Sequence, residues 1–344
     1  MKIAILGAGS IGCFIGGAWQ AADQKVAFIG RDRIGKAIEA DGLTLTGSDG
    51  WRVHFAPGEV DYSMKPATLA KAELIALCVK SNGTAEAAKE IGHHARKGAT
   101  IVSFQNGVSN ADVLREALGT RFEVVQGSVP FNIAYLGHGR FHKGVAGDLI
   151  TGESAATRAL SEAIGDRPGR LKLAADMKAI AWGKLLINLN NAVNALSGKT
   201  LLEQLKERDY RRVVAASIIE ALELLQEAGI EPAKIGPVPP RLLPHAMAAP
   251  NLVFNNLFLK FQRIDAKARS SMYDDLAARR PTEVDWLNGE VVKLAKSLGK
   301  EAPVNQSIVD LIKVAEVGVE KVWTPEELRW HVLQGRKIAP MFGY

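Results

Sequence analysis

Residues 2–29 read KIAILGAGSIGCFIGGAWQAADQKVAFI, and this stretch decides the fold. Lys2 to Leu6 is a short apolar run rich in β-branched residues, as expected of a strand buried on both faces. Gly7-Ala8-Gly9-Ser10-Ile11-Gly12 follows, then a helical pattern to about Ala22 and a second strand from Lys25 to Ile29. Strand, GxGxxG, helix and strand within about 30 residues is the setting that gives a dinucleotide fingerprint its meaning. Gly7 permits a tight turn, Gly9 lets the backbone approach a pyrophosphate, and Gly12 lets helix and strand pack closely. The helix then presents unpaired N–H groups to the phosphates. Residues 7 to 12, with Ala8, Ser10 and Ile11 between the glycines, are therefore expected to hold a cofactor.

The end of the second strand selects which cofactor. It runs Ile29-Gly30-Arg31-Asp32-Arg33. Folds specific for NAD usually place an acid here to bind the ribose 2′-hydroxyl. Arg31 stands in its place, and a guanidinium holds a 2′-phosphate bidentately. The expectation is NADP(H), with Arg33 assisting. Asp32 is a mild counter-signal, or alternatively a cap for the following helix.

Outward from this unit, residues 73–79, 100–104 and 123–129 read as further strands, and 83–95 as a helix. Residues 42–59 read as an irregular β excursion. Residues 130–152 read as antiparallel strands on the sheet edge. Ligands of open α/β sheets bind outside the carboxyl ends of the strands. Lys80 and Asn106 stand at two such ends; the alternatives are a solvated strand-end lysine and ordinary Asn-Gly turn chemistry. From about Leu173 the pattern is helical. The fold class is α/β, an N-terminal Rossmann-type dinucleotide-binding domain (1–172) followed by an all-helical C-terminal domain (173–344). Helices are expected over 209–228, 251–278 and 282–298, with one more before Gly318 and a last one capped at Thr324-Pro325-Glu326-Glu327. Residues 236–250, with five of the chain's 14 prolines, read as a loop.

The length of 344 residues suits about two domains. A net charge of +6 and a pI near 9.2 suit an anionic small molecule, and no Lys/Arg block of the nucleic-acid kind occurs. The two cysteines, Cys13 and Cys78, form no CxxC or Cys/His cluster, so no metal site is expected and both read as reduced thiols of a cytoplasmic protein. No run of about 18 apolar residues exists to span a membrane. Apolar patterning in the helical half is compatible with a homodimer.

Residues 182–198, WGKLLINLNNAVNALSG, have apolar residues at helical spacing. Yet Asn188, Asn190, Asn191 and Asn194 lie inside, although Asn competes with the helix backbone for hydrogen bonds. Lys184 and Asn188, four apart, share a face. A core helix with a snorkelling lysine is the alternative.

Together these motifs resemble the ketopantoate reductase (2-dehydropantoate 2-reductase) family. GAGSIG, Arg31, Lys80, Gln105-Asn106-Gly107, the Lys184 helix, Ser270-Ser271-Met272 and Arg280-Pro281-Thr282-Glu283 occur in the family's order over most of the chain. The resemblance implies NADPH-dependent reduction of ketopantoate to pantoate, a step toward pantothenate and coenzyme A. It implies that Lys184 is the catalytic lysine, with Glu283 near the ribose and the reacting centre. Asn188 and Ser271 are implied as substrate residues, Asn106 as near nicotinamide and substrate, and Lys80 and Ile133 as cofactor contacts. The family more usually carries its second substrate asparagine eight residues after the lysine, where this chain has Ala192. On a regular helix Asn191 lies nearer the Lys184 face than Asn194 does; a local bulge would bring Asn194 round instead. For Glu283 the alternative is a first-turn carboxylate beside a Thr282/Asp285 capping box. Competing readings are a reductase of another 2-keto acid, an opine-type dehydrogenase, and a noncatalytic NADP-binding module.

Overall fold

Side-chain alternation along the first strand builds two cores at once. The structure, a computed structural model, describes residues 1–259, 265–318 and 321–333. Its contacts separate two units, Met1–Met177 and Lys178–Tyr344. In the first unit the order is β1 (Lys2–Leu6), α1 (Ser10–Ala21), β2 (Lys25–Ile29), α2 (Asp32–Asp41), β3 (Leu43–Gly47), β4 (Arg52–Phe55), β5 (Asp61–Ser63), β6 (Leu74–Leu77), α3 (Thr84–His94) and β7 (Thr100–Ser103). Then come α4 (Asn110–Leu118), β8 (Glu123–Ser128), β9 (Ile133–Tyr135), β10 (Arg140–Lys143), β11 (Leu149–Thr151), α5 (Ala155–Ile164) and β12 (Leu171–Leu173).

The main sheet has strand order β12-β11-β8-β7-β6-β1-β2-β5. It is parallel from β5 to β8, with β11 antiparallel to β8. Strands covered on both faces need continuous apolar runs, and β6 (LIAL) is buried at every residue. Ile3 and Ile5 point to one face, where α1 adds Phe14, Ile15 and Trp19. Ala4 and Leu6 point to the other, against Ile91 of α3 and Leu114 of α4. Each large side chain removed from water in this way contributes about 1.5–3 kcal/mol.

Two expectations about strands change. The excursion at 42–59 is a regular antiparallel hairpin, β3 with β4, and it belongs to a second sheet of order β4-β3-β10-β9. Of the strands expected at 130–152, β11 alone joins the main sheet, between β8 and the edge strand β12, while β9 and β10 pair with each other in the second sheet. Gly137 and Gly139, both at positive φ, turn the chain between them. The second sheet packs on α1: Leu43, Leu45 and Phe141 join Phe14 in one cluster.

In the second unit helices follow one another: α6 (Met177–Asn188), α7 (Asn190–Ser197), α8 (Leu201–Lys206), α9 (Arg208–Glu227), α10 (Leu243–Ala248), α11 (Asn251–Val253), α12 (Ser271–Ala277), α13 (Asn288–Ser297), α14 (Pro303–Glu316) and α15 (Pro325–Leu333). The proline-rich segment 236–250 carries α10 as well as loop, because Pro244 sits in the helix's first turn, where its missing N–H costs nothing. The single helix expected over 251–278 is not formed. A π-helical turn, Phe254–Leu259, follows α11, and Ser270 caps a new helix by accepting from Tyr273 N. Residues 260–264 of that expected helix lie outside the described residues. The helix expected over 282–298 begins only at Asn288. A 3-10 turn, Val284–Trp286, precedes it, and Leu287 at φ −117°, ψ −93° breaks the run. Thr324 and Glu327 form the expected cap of α15.

Among the described residues no helix is long and apolar enough to cross a membrane, and no His/Cys/Asp/Glu group is arranged to hold a metal.

Candidate active site

In the first unit the loop between β1 and α1 has the geometry its glycines require. Gly7 sits at φ +99°, and a Cβ there would lie 2.5 Å from Val79 N. A Cβ on Gly12 would lie 2.4 Å from Gly7 O. Gly7 N and Ala8 N both donate to Ile29 O, which ties the loop to the end of β2. At Gly9, by contrast, a Cβ would meet nothing within 4 Å. No side chain caps α1, and its first turn, starting at Ser10, Ile11 and Gly12, carries no acid. Open space at Gly9 and an uncapped helix amino terminus fit a pyrophosphate.

Arg31 is exposed directly after β2. Its carbonyl accepts from Tyr62 Oη at 2.9 Å. Tyr62 lies on β5, which has only three residues and left no sequence signal. Asp32 does not cap α2: it is the first helical residue and pairs with Lys36 at 2.8 Å. Arg33 places its guanidinium 5.4 Å from the Tyr135 ring centroid. Lys80 is exposed just after β6. Asn106, after β7, is half-buried. Its carbonyl accepts from Ser81 Oγ at 3.0 Å, and the preceding Gln105 donates to Thr84 Oγ1 at 2.7 Å. Gly107, at φ +89°, supplies the turn, so Asn106 has both the turn chemistry and the strand-end position. Ile133 opens β9 and packs against the α1 cluster. Burial pushes both thiols up, Cys78 to about 12, so neither is a ready thiolate.

In the second unit α6 and α7 are separated by Leu189, whose backbone stays helical (φ −58°, ψ −23°). Leu189 N still bonds to Leu185 O at 3.0 Å, so the register carries through. Gly183, beside Lys184, admits a neighbouring segment: a Cβ there would lie 2.1 Å from Ala233 O. Burial lowers the Lys184 ammonium to about pKa 8, and the Glu283 carboxylate opposes part of that fall. Glu283 is 7% exposed. The capping box considered beside it is absent. Thr282 instead gives its hydroxyl to Glu316 Oε1 at 2.7 Å, and Asp285 pairs with Lys313.

The asparagines divide by environment. Asn188 and Asn191 are half-buried. Asn194 is 0% exposed. Its Oδ1 accepts from Ser270 N at 2.9 Å and its Nδ2 donates to Lys199 O at 3.1 Å. Ser270 Oγ donates to Asn191 O at 2.9 Å. Ser270 is thus bolted to α7, and Ser271 follows as the exposed first residue of α12.

Comparison with known proteins names this combination of folds. The family description "Ketopantoate reductase PanE/ApbA" matches residues 3–156, and its C-terminal counterpart matches residues 176–316. The chain belongs to the ketopantoate reductase family. Among relatives of this family, the 2-dehydropantoate 2-reductase of Pyrococcus abyssi is 29% identical over 328 residues, 92% of this chain and 98% of the relative. The crystal structure of a PanE/ApbA family ketopantoate reductase from Ralstonia eutropha JMP134 superposes with a TM-score of 0.78 at 26% identity, covering 92% of this chain and 99% of that one. A D-mandelate dehydrogenase, solved with NADH and anilino(oxo)acetate, shares the fold with a TM-score of 0.76 at 18% identity, over 92% of this chain and 99% of its own. Ketopantoate reductases are dinucleotide-dependent oxidoreductases, and the glycine loop described above is the part of this chain suited to that cofactor.

Proposed function

We propose that this chain is an NADPH-dependent 2-dehydropantoate 2-reductase and that Lys184 is its proton donor. The reading is carried by the family matches over residues 3–156 and 176–316, and burial of Lys184, which lowers its ammonium to about pKa 8 close to Asn188 of the same helix, supports it. A bound nicotinamide cofactor supplies the hydride. The protein must supply the rest.

Residues 7–12 hold the pyrophosphate through backbone N–H groups. Arg31 takes the 2′-phosphate, and Tyr62 fixes the Arg31 backbone at 2.9 Å. Lys80, Asn106, Ile133 and Glu283 are the further cofactor contacts. The substrate carbonyl at C2 gains a hydride on carbon and develops negative charge on oxygen. Lys184 stabilises that oxygen and gives it a proton, ending as a neutral amine that takes a proton back from water. A pKa near the working pH suits a group that must do both. Glu283 keeps the ammonium charged often enough to act. Asn188 and Asn191 bind the keto acid as uncharged donors, and Ser271 adds a hydroxyl to its carboxylate. Asn194, enclosed and bonded to Ser270, takes a positioning role.

The test is a substrate panel. Purified protein is mixed with NADPH and, in turn, 2-dehydropantoate, pyruvate, branched 2-keto acids and phenylglyoxylate, and absorbance at 340 nm is followed. Turnover dominated by 2-dehydropantoate supports the reading. One observation favours a second reading, a reductase of a different 2-keto acid: the substrate-facing amide at 191 stands one residue from where the family usually has it. Preference for an aromatic or branched acid selects that reading.

A further inference from the structure

Glu283 lies in an irregular part of the chain, between Thr282 and a short 3-10 turn. It precedes a 3-10 turn of three residues, and the chain breaks again at Leu287 before α13 begins. Such a turn has few internal hydrogen bonds to fix a side chain. One support reaches it from the end of α14. Thr282, fully buried, donates both its backbone N–H and its hydroxyl to Glu316 Oε1, each at 2.7 Å. The same hydroxyl accepts from Val284 N at 3.2 Å, so Thr282 bonds the Glu316 carboxylate directly and Val284 is linked to it through the Thr282 hydroxyl. Glu316 Oε2 pairs with Lys313 at 3.2 Å, and Lys313 also takes the Asp285 carboxylate. Hydrogen bonds to an ionised acceptor are about twice as strong as neutral ones. Glu316 is itself only 15% exposed at its side chain. The far end of α14 is fixed too, because Glu220 accepts from Val304 N at 3.0 Å and Asn305 N at 2.8 Å.

We propose that Glu316 is a positioning residue of the reaction, setting through Thr282 where the Glu283 carboxylate stands relative to Lys184. The proposal rests on the reading that Lys184 gives the proton. Its physical consequence is specific. Glu283 is the charge that opposes the burial of the Lys184 ammonium. Beside it, Lys313 pairs with both Asp285 and Glu316. If the segment loosens, Glu283 withdraws and Lys184 loses its proton at lower pH. A misplacement of about 1 Å in a site of this kind can cost 100-fold in rate.

The experiment compares wild type, Glu316→Ala, Glu316→Gln and Thr282→Val as full chains, measuring kcat and KM for 2-dehydropantoate across pH 6–10 with saturating NADPH, and thermal midpoints alongside. Glu316→Ala is expected to lower kcat about tenfold or more and to move the alkaline limb of kcat to lower pH. Glu316→Gln keeps an acceptor oxygen for Thr282 and is expected to recover most of the rate and the limb. Thr282→Val keeps the shape and removes the hydroxyl, so it tests the same link if Glu316→Ala does not fold. A lowered thermal midpoint with an unmoved limb in these variants would mean that Glu316 serves stability alone, and would overturn the proposal. A wild type with no limb near pH 8 would instead sink the role given to Lys184.

Discussion

The Oδ1 of Asn194 accepts a hydrogen bond from the backbone N–H of Ser270 at 2.9 Å, joining two helices 76 residues apart in sequence. Both residues are buried, and Ser270 returns a bond to Asn191 O. This bond sets where Ser271 emerges relative to the helix that carries Lys184. Asn194→Ala leaves the Ser270 N–H without its acceptor, at a cost of about 1–3 kcal/mol. The thermal midpoint should fall by several degrees and KM for the keto acid should rise with it. Asn191→Ala should raise KM and leave the midpoint unchanged. Calorimetry beside steady-state kinetics separates the two; matching effects from both variants would refute this division of labour.

Gly12 and Gly9 of the fingerprint should fail differently. A Cβ on Gly12 meets Gly7 O at 2.4 Å and Ile5 Cγ2 at 2.8 Å. Gly12→Ala should therefore destabilise the fold itself by about 1–3 kcal/mol, an overpacking cost. Gly9→Ala meets nothing within 4 Å, so the thermal midpoint of the cofactor-free protein should hold. Its NADPH affinity, read by fluorescence titration, should drop about tenfold or more because the added methyl stands where the pyrophosphate approaches. Undiminished affinity in Gly9→Ala would place the phosphates elsewhere.

The sign of the pH dependence follows from Lys184. With Lys184 as the proposed proton donor, reduction needs the ammonium, so kcat for keto acid reduction should fall as pH rises through about 8, and oxidation of the hydroxy acid, which needs the neutral amine, should rise over the same range. Stability obeys the same shift. The folded pKa of about 8 lies below the ordinary lysine value of 10.5, so between these values the unfolded chain binds more protons at this residue. Stability of the wild type relative to Lys184→Met should therefore climb from pH 8 towards 10.5, as chemical denaturation at several pH values would reveal. A flat difference across that window would mean the lysine is not desolvated.

In the proposed reading, the choice of NADP over NAD turns on Arg31. Arg31→Ala should raise KM for NADPH about 10-fold to 100-fold, the loss of a bidentate charged pair, and change KM for NADH little. Equal losses with the two cofactors would remove the 2′-phosphate from Arg31.

The nucleotide half was legible because its signals are local. The run KIAIL, the GxGxxG loop and KVAFI each dictate their own conformation, and β1, α1 and β2 follow them. The Lys184 helix was legible for the same reason, through apolar spacing interrupted by asparagines. What escaped the sequence depends on distant partners. The strand β5, only three residues long, exists by pairing with β2, and it brings Tyr62 to Arg31. The Thr282 hydroxyl looked like a helix cap, yet a carboxylate 34 residues later takes it. Asn194 and Asn191 could be ordered by helical angle alone, but only the position of Ser270 shows which amide is consumed internally.

The most direct test of the account is the kcat of Lys184→Ala for NADPH oxidation with 2-dehydropantoate, measured with the NADPH dissociation constant of the same preparation. Loss of a general acid predicts a fall of about 100-fold to 10,000-fold in kcat, with cofactor affinity unchanged. A variant that turns over at the wild-type rate while binding NADPH normally would contradict the account.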